Sequence, residues 1–197
     1  MKYVIMADGK GKRWNNHDNI PKHFVVINGE TIIGRVVRLI RKFDKDADVI
    51  ITSHDPRYEI EGARRYEPLN NVLEIDRFTE ELIEDDMCFL YGDTYYSEEA
   101  MKLIVDTKVD DIQFFGNGQS IVAIKIKDSS VFRYHVNNVR TLFLKGEIKQ
   151  CIGWQVYQSF LNLPFGIKQV VDKYIFLQDN TQDFNSPVDL QNVGGKF

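Results

Sequence analysis

MKYVIMADGKGKRW (residues 1–14) is the stretch that decides how the rest of the chain is read. Residues 3–6 form a short apolar run that stops at a glycine turn, the pattern of a buried strand. Residues 8–22 are polar and irregular. Residues 24–27 suit a short strand, and Asn28-Gly29 has the chemistry of a tight turn. Ile32, Ile33, Val36, Val37, Leu39, Ile40 and Phe43 then recur at helical spacing, with Arg35, Arg38, Arg41 and Lys42 on the other side. Residues 30–43 therefore read as an amphipathic helix. Residues 48–52 are a second buried strand. Strand, loop, helix, strand is a βαβ unit, which implies a parallel pair joined by a right-handed crossover.

The alternation continues. Periodicity predicts helix over 72–84, strand over 87–91 ending at Gly92-Asp93, helix over 97–106, and strands over 112–115 and 121–126. Helices follow over 129–144 and 148–161, then a strand over 174–177 and a short helix over 187–193 with Pro187 in its first turn. The expected fold is a three-layer, Rossmann-like α/β domain with a mostly parallel central sheet, a single domain spanning residues 1–197.

The composition is that of an ordinary soluble protein, 43% hydrophobic and 27% charged. A net charge of −4 argues against nonspecific nucleic-acid binding, which needs a basic surface. The two cysteines, Cys88 and Cys151, lie far apart and form no C-x-x-C pair. Cys88 sits in the apolar run MCFLY, so a buried free thiol in a reducing compartment is expected. The first apolar run is too short for a signal peptide, and no stretch approaches the roughly 18 apolar residues of a membrane span. The expectation is a cytoplasmic protein with neither a nucleic-acid nor a membrane partner.

Chemistry concentrates first in the glycine loop. Gly9 and Gly11 follow a buried strand directly, and glycine lets backbone N–H groups approach an anion closely. Lys10, Lys12 and Arg13 add positive charge, and Arg13 can fork onto phosphate oxygens. The loop is not a Walker A motif, since no G-K-[ST] closes it, and it lacks the third glycine of the dinucleotide fingerprint. Without that glycine, and with Thr52-Ser53-His54 where a ribose-binding acid would stand, a Rossmann oxidoreductase is disfavoured. Pro21 then presents Lys22, a mobile point charge suited to a phosphate that moves during reaction.

The order strand, A-x-G-x-G-x-R, loop, P-K, strand, N-G-x-x, helix resembles the opening of the sugar-phosphate nucleotidyltransferase superfamily. Here it stands as Ala7, Asp8, Gly9, Lys10, Gly11, Lys12 and Arg13, then Pro21 and Lys22. The resemblance implies a Rossmann-like fold and transfer of a nucleotidyl group from an NTP to a phosphorylated sugar, polyol or choline, with release of pyrophosphate. It implies catalytic roles for Lys22 and Arg13, and nucleotide contacts from residues 7–9, 11 and 12. Asp8 departs from the family's usual Ala or Gly. A carboxylate beside triphosphate is repulsive unless it binds metal, caps a turn or faces away.

Two later segments extend the likeness. Leu90-Tyr91-Gly92-Asp93 places an acid just past a strand, where open α/β sheets bind ligands, and the family holds Mg²⁺ with an Asp there. Residues 183–190, DFNSPVDL, look like the family's D-x-[ND]-T-P-E-D-L segment, which maps a second metal ligand to Asn185, with Asp183 in reserve. Oxygen ligands, few in number, suit Mg²⁺. Asn70 and Asn71 precede the helix predicted over 72–84. On the residues alone an Asn there caps a helix, but phosphocholine cytidylyltransferases carry a similar N-N that holds the nucleotide, so CTP is the favoured donor. The expected acceptor is choline, glycerol or another polyol phosphate for surface polysaccharide synthesis. The alternatives are a hexose 1-phosphate, a more distant molybdopterin-type acceptor, and a non-catalytic member that only binds nucleotide. A second copy of the chain is an optional partner. Trp14, Tyr95 and Tyr96 are read as packing residues before pocket residues, and no histidine is assigned a role.

Overall fold

The computed structural model describes residues 1–11, 14 and 20–191, the last two without their side chains. Lys12, Arg13 and His17 lie outside the described residues. β1 (Lys2–Met6) alternates strictly. Tyr3 and Ile5 enter one core, and Val4 and Met6 enter the other. Each fully buried Ile or Val contributes roughly 1.5–3 kcal/mol, so a strand apolar on both faces has to sit between two layers.

After β1 the chain makes a 3-10 turn (Lys22–Phe24) and a two-residue hairpin, β2 (Val26–Ile27) and β3 (Glu30–Thr31). Asn28 and Gly29 take φ of 53° and 79° at its tip, the left-handed pair that such a turn requires. α1 (Ile32–Phe43) starts where Thr31 Oγ1 accepts from Gly34 N–H at 3.1 Å. Its apolar stripe is buried, and Arg41 and Lys42 fall in its last turn, where the helix dipole favours cations. The remaining elements are β4 (Asp48–Thr52), β5 (Arg64–Tyr66), β6 (Met87–Tyr91), β7 (Thr94–Tyr95), α2 (Glu98–Asp106), β8 (Ile112–Gly116), β9 (Ile121–Ile126), α3 (Ser129–Leu144), α4 (Gly153–Phe160), β10 (Tyr174–Phe176), β11 (Gln182–Asp183) and α5 (Pro187–Gln191).

Among the described residues, seven strands form one sheet in the order β10-β8-β9-β6-β1-β4-β5. β1 pairs in parallel with β4 and β6, β4 with β5, and β10 with β8, while β9 runs antiparallel to both of its neighbours. α1 and α2 pack on one face through Val36, Ile40, Met101 and Ile104, and α3 and α4 on the other through Phe132, Val136, Trp154 and Tyr157. This is the three-layer α/β architecture with a mostly parallel sheet. Because β1, β4 and β6 run the same way, the residues after Met6, Thr52 and Tyr91 emerge side by side at one edge.

Cys88 and Cys151 are both buried free thiols, and burial pushes the Cys88 thiol up to about 12. No helix of the described residues is long and apolar enough to cross a membrane.

The expected helix over 72–84 is instead two 3-10 turns, Glu74–Arg77 and Glu80–Leu82. The Asp76 carboxylate accepts from the Val72 and Leu73 amides at 2.9 and 2.7 Å, so a side chain takes the donors at the start of this segment. No asparagine is needed as its cap. The helix expected from 148 begins only at Gly153, after Gln155 Oε1 accepts from the Ile152 amide at 3.2 Å.

Candidate active site

Three segments converge at the carboxyl edge of the sheet. The first follows β1. Ala7 is buried and its N–H donates to Thr52 O at 3.2 Å, so it anchors the loop to the sheet. Gly11 takes φ +55°, a left-handed turn that favours glycine. A methyl built on Gly9 would lie 3.4 Å from the guanidinium of Arg77, which packs directly against that glycine. Lys10, Gly11, Lys22, Asn71, Val72, Leu73, Glu74, Arg77 and Asn185 wall a cavity of about 160 Å³.

Asp8 is held by two neighbouring loops. Its carboxylate accepts from the His54 backbone N–H at 3.0 Å, lies 2.8 Å from His54 Nδ1, and accepts from Asn71 Nδ2 at 2.7 Å. The departure from the family's small residue is thus a clamp between three loops. Asn70 is exposed and does not wall the cavity, whereas Asn71 does.

The second segment follows β6. Gly92 N–H donates to Met6 O at 3.0 Å, and a methyl built there would meet Met6 O at 2.9 Å and His23 Cδ2 at 3.2 Å. Only glycine lets the chain turn this close to β1, and the turn delivers Asp93 to Lys22. Lys22 Nζ donates to Asp93 Oδ2, and both side chains are 13% exposed. Burial pushes the Asp93 carboxyl up, but neighbouring charge, led by Lys22 and including Arg77, outweighs it and holds the group below the usual carboxylate range.

The third segment comes from ninety residues further along the chain. β11 pairs antiparallel with β7, with Asp183 opposite Thr94, and Phe184 N–H donates to Asp93 O at 2.8 Å. Phe184 is fully buried against Ile27, Ile32 and Tyr95, which locks the segment down. Asp183 Oδ1 accepts from Ser120 Oγ at 2.9 Å, and Asn185 Nδ2 donates to Asp183 Oδ2. Asp189 accepts from the Asn185 and Ser186 amides at 2.8 and 2.7 Å, holding the turn before α5. A second cavity of about 460 Å³ opens beside the first. Asp93, Asp183, Asn185 and Arg77 line it together with Tyr91, Trp154, Gln119, Gln150 and Lys168.

No protein-family model matches the chain. Over 121 residues it is 30% identical to the bifunctional protein GlmU of Francisella tularensis, an alignment covering 56% of this chain and 26% of that protein. The match thus spans about a quarter of that relative's length. Among solved structures, the chain superposes on one from Bacillus anthracis assigned as a glucose-1-phosphate thymidylyltransferase, with a TM-score of 0.63 and 16% identity, covering 98% of this chain and 93% of that one. It also superposes on the CTP:phosphocholine cytidylyltransferase of Streptococcus pneumoniae (TM-score 0.59, 13% identity, 98% and 96% covered). A third likeness is to the inositol-1-phosphate CTP transferase of T. maritima (TM-score 0.58, 13% identity, 95% and 90% covered). The fold is that of the nucleotidyltransferases. The likeness runs through residues 100–180, where no sequence motif carried it.

Within this nucleotidyltransferase fold, Lys22, Asp93, Asp183 and Asn185 gather at one point, and Gly11 and Asn71 share the smaller cavity with Lys22. Sequence reasoning missed Arg77, which lines both cavities and makes no side-chain hydrogen bond among the described residues. It also missed Lys168 and Trp154. Trp14 and Tyr96 are packing residues. The Trp14 indole donates to Ile20 O at 2.8 Å, and the Tyr96 hydroxyl donates to Val122 O at 2.5 Å. Tyr95 packs under the Arg35 guanidinium, 4.3 Å from its ring centre.

His23 underlies the site. It is 4% exposed, with Nδ1 2.6 Å from the Tyr58 hydroxyl. Burial drives its imidazole down to about 4, with Asp93 pulling it up and Lys22 and Arg77 adding to the fall. Between about pH 4 and the ordinary value near 6.5 the unfolded chain binds a proton there that the folded protein does not, so stability rises with pH across that window. Acidification from pH 6.5 to 4 is expected to remove on the order of 3 kcal/mol through this group. Urea midpoints measured against pH should flatten over this range in His23→Gln. An unchanged slope would place the loss in other groups.

Proposed function

We propose that the chain catalyses Mg²⁺-dependent transfer of a nucleotidyl group, cytidylyl in preference, from an NTP to a small phosphorylated acceptor. The observation that carries this is the meeting of Lys22 and Asp93 with Asp183 and Asn185 at the junction of two cavities, beside a glycine loop. One cavity takes the nucleotide and the other the acceptor, with the reacting phosphorus between them.

An acceptor phosphate oxygen attacks the α-phosphorus, forming a P–O bond as the α–β bridging P–O bond breaks, and pyrophosphate leaves. No general base is needed, because the acceptor phosphate is already an anion near neutral pH. Catalysis is then positioning and charge stabilisation. Backbone amides of Gly9 and Gly11 cradle the triphosphate, with Lys12 and Arg13 of the same loop assigned to its β- and γ-phosphates. Lys22 exchanges Asp93 for the α- and acceptor phosphates. Arg77, packed against Gly9, is assigned to the departing pyrophosphate.

Among the described residues no three His, Cys, Asp or Glu side chains converge as a metal cluster. Two carboxylates and an amide carbonyl nonetheless fit Mg²⁺, which is held by one or two carboxylates and completes its shell with water and phosphate. Asp93, Asp183 and Asn185 would hold it. When bound, the ion neutralises triphosphate charge.

The larger cavity refines the acceptor. Lys168 Nζ sits 5.0 Å over the Trp154 ring and donates to Gln119 O at 2.7 Å. That aromatic face already carries a cation, so a choline group would have to displace it. Gln119, Gln150, Ser120 and Lys168 suit hydroxyl groups instead, which favours glycerol or another polyol phosphate. The cavity's size, about 460 Å³, supports a hexose 1-phosphate as the second reading.

The test is pyrophosphate release from four NTPs against glycerol, polyol, choline and hexose phosphates in Mg²⁺. Turnover is expected with CTP and a polyol phosphate. Nucleotide binding by calorimetry with no pyrophosphate from any pairing would make the chain a non-catalytic binding member.

A further inference from the structure

Asp8 is a carboxylate where a small residue would serve a phosphate loop, and its side chain is only 11% exposed. Asn71 Nδ2 donates both to Asp8 Oδ2, at 2.7 Å, and to the Asp8 backbone oxygen, at 2.8 Å. An amide nitrogen carries two hydrogens, and both are taken. The two atoms facing it are acceptors, so the nitrogen of Asn71 and not its oxygen must lie on the Asp8 side. His54 fixes the carboxylate in turn, through its backbone N–H at 3.0 Å and Nδ1 at 2.8 Å. Asn71 also walls the smaller cavity, together with Lys10, Gly11 and Lys22. What this side chain has left to offer a ligand there is its carbonyl oxygen, an acceptor.

We propose that Asp8 is a specificity-determining positioning residue: by taking both amide hydrogens of Asn71 it makes that side chain an acceptor, which selects a pyrimidine bearing an exocyclic amino donor over one bearing a carbonyl at the same place. Cytosine presents an amino group at this position, and uracil and thymine present an oxygen. An acceptor facing an acceptor leaves both unsatisfied, which costs about tenfold or more in affinity. The inference rests on the nucleotidyl-transfer reading, in that it places the base of the NTP in this cavity.

The experiment is calorimetric titration of the full chain in Mg²⁺ with CTP, UTP and inorganic tripolyphosphate, the last a probe with no base. The wild type is expected to bind CTP at least about tenfold tighter than UTP. Asp8→Ala should bring the two within about threefold whatever common change it makes to tripolyphosphate affinity, because the ratio of the two nucleotides reads the base edge and not the phosphate site. The isosteric variant Asp8→Asn, which keeps the shape but faces the Asn71 nitrogen with an amide and so releases its fixed orientation, should also bring CTP and UTP within about threefold. That variant also serves if Asp8→Ala does not fold, since a merely structural role predicts an equal loss of CTP, UTP and tripolyphosphate and not a change in the ratio of the two nucleotides. Equal CTP and UTP affinities in the wild type overturn the inference and leave the nucleotidyl-transfer reading standing. Discrimination that survives in Asp8→Ala does the same, as does a parallel loss of all three ligands. Absence of binding by any NTP overturns both.

Discussion

Lys22→Ala is expected to lower kcat for pyrophosphate release by about 100- to 1000-fold, the range for removing one donor aimed at transition-state charge. Lys22 is the one described cation that both walls the smaller cavity and pairs with Asp93. Its charge counts for more there than at the surface, because both side chains are mostly withdrawn from water. The substitution also leaves Asp93 buried without its ion-pair partner, so stability falls too. Measuring kcat together with the urea midpoint separates the two effects. A folded Lys22→Ala enzyme within tenfold of wild-type turnover would remove Lys22 from the chemistry.

Asp93→Ala is expected to lose at least about 1000-fold in turnover, since it removes the carboxylate proposed to hold the metal and the partner that orients Lys22. Asp93→Asn keeps the shape and an acceptor for Lys22 but discards the negative charge. It should fold normally and need a much higher Mg²⁺ concentration for half-maximal rate. If Asp93→Asn showed wild-type turnover at the wild-type Mg²⁺ optimum, the metal assignment would be wrong.

How much of this was legible depended on how each element earns its place. The opening βαβ unit was readable because a strand buried on both faces must be apolar throughout, as Tyr3 to Met6 is, and because α1 carries one clean apolar stripe. β5 was not, since Arg64, Arg65 and Tyr66 form a half-buried edge strand that shows no apolar run. The segment from Val72 to Ile83 has helical apolar spacing, yet Asp76 turns back onto the Val72 and Leu73 amides and breaks it into 3-10 turns. Lys22 and Asp93 were visible through motif and position. Arg77 was not, because nothing local marks it, and only the fold lays its guanidinium over Gly9. The neighbourhood of Asp93 and Asp183 likewise rests on two short strands, β7 and β11, with too few residues to show any period.

That small clip between β7 and β11 sets the order in which the site is completed. The glycine loop, Lys22 and Asp93 all belong to the first half of the chain, and Asp183 and Asn185 come from its last fifteen residues. A chain cut short of β11 therefore lacks Asp183 and Asn185 altogether. β10, the last strand of the sheet in chain order, precedes that segment, so the four side chains come together only over a sheet all of whose strands have been made.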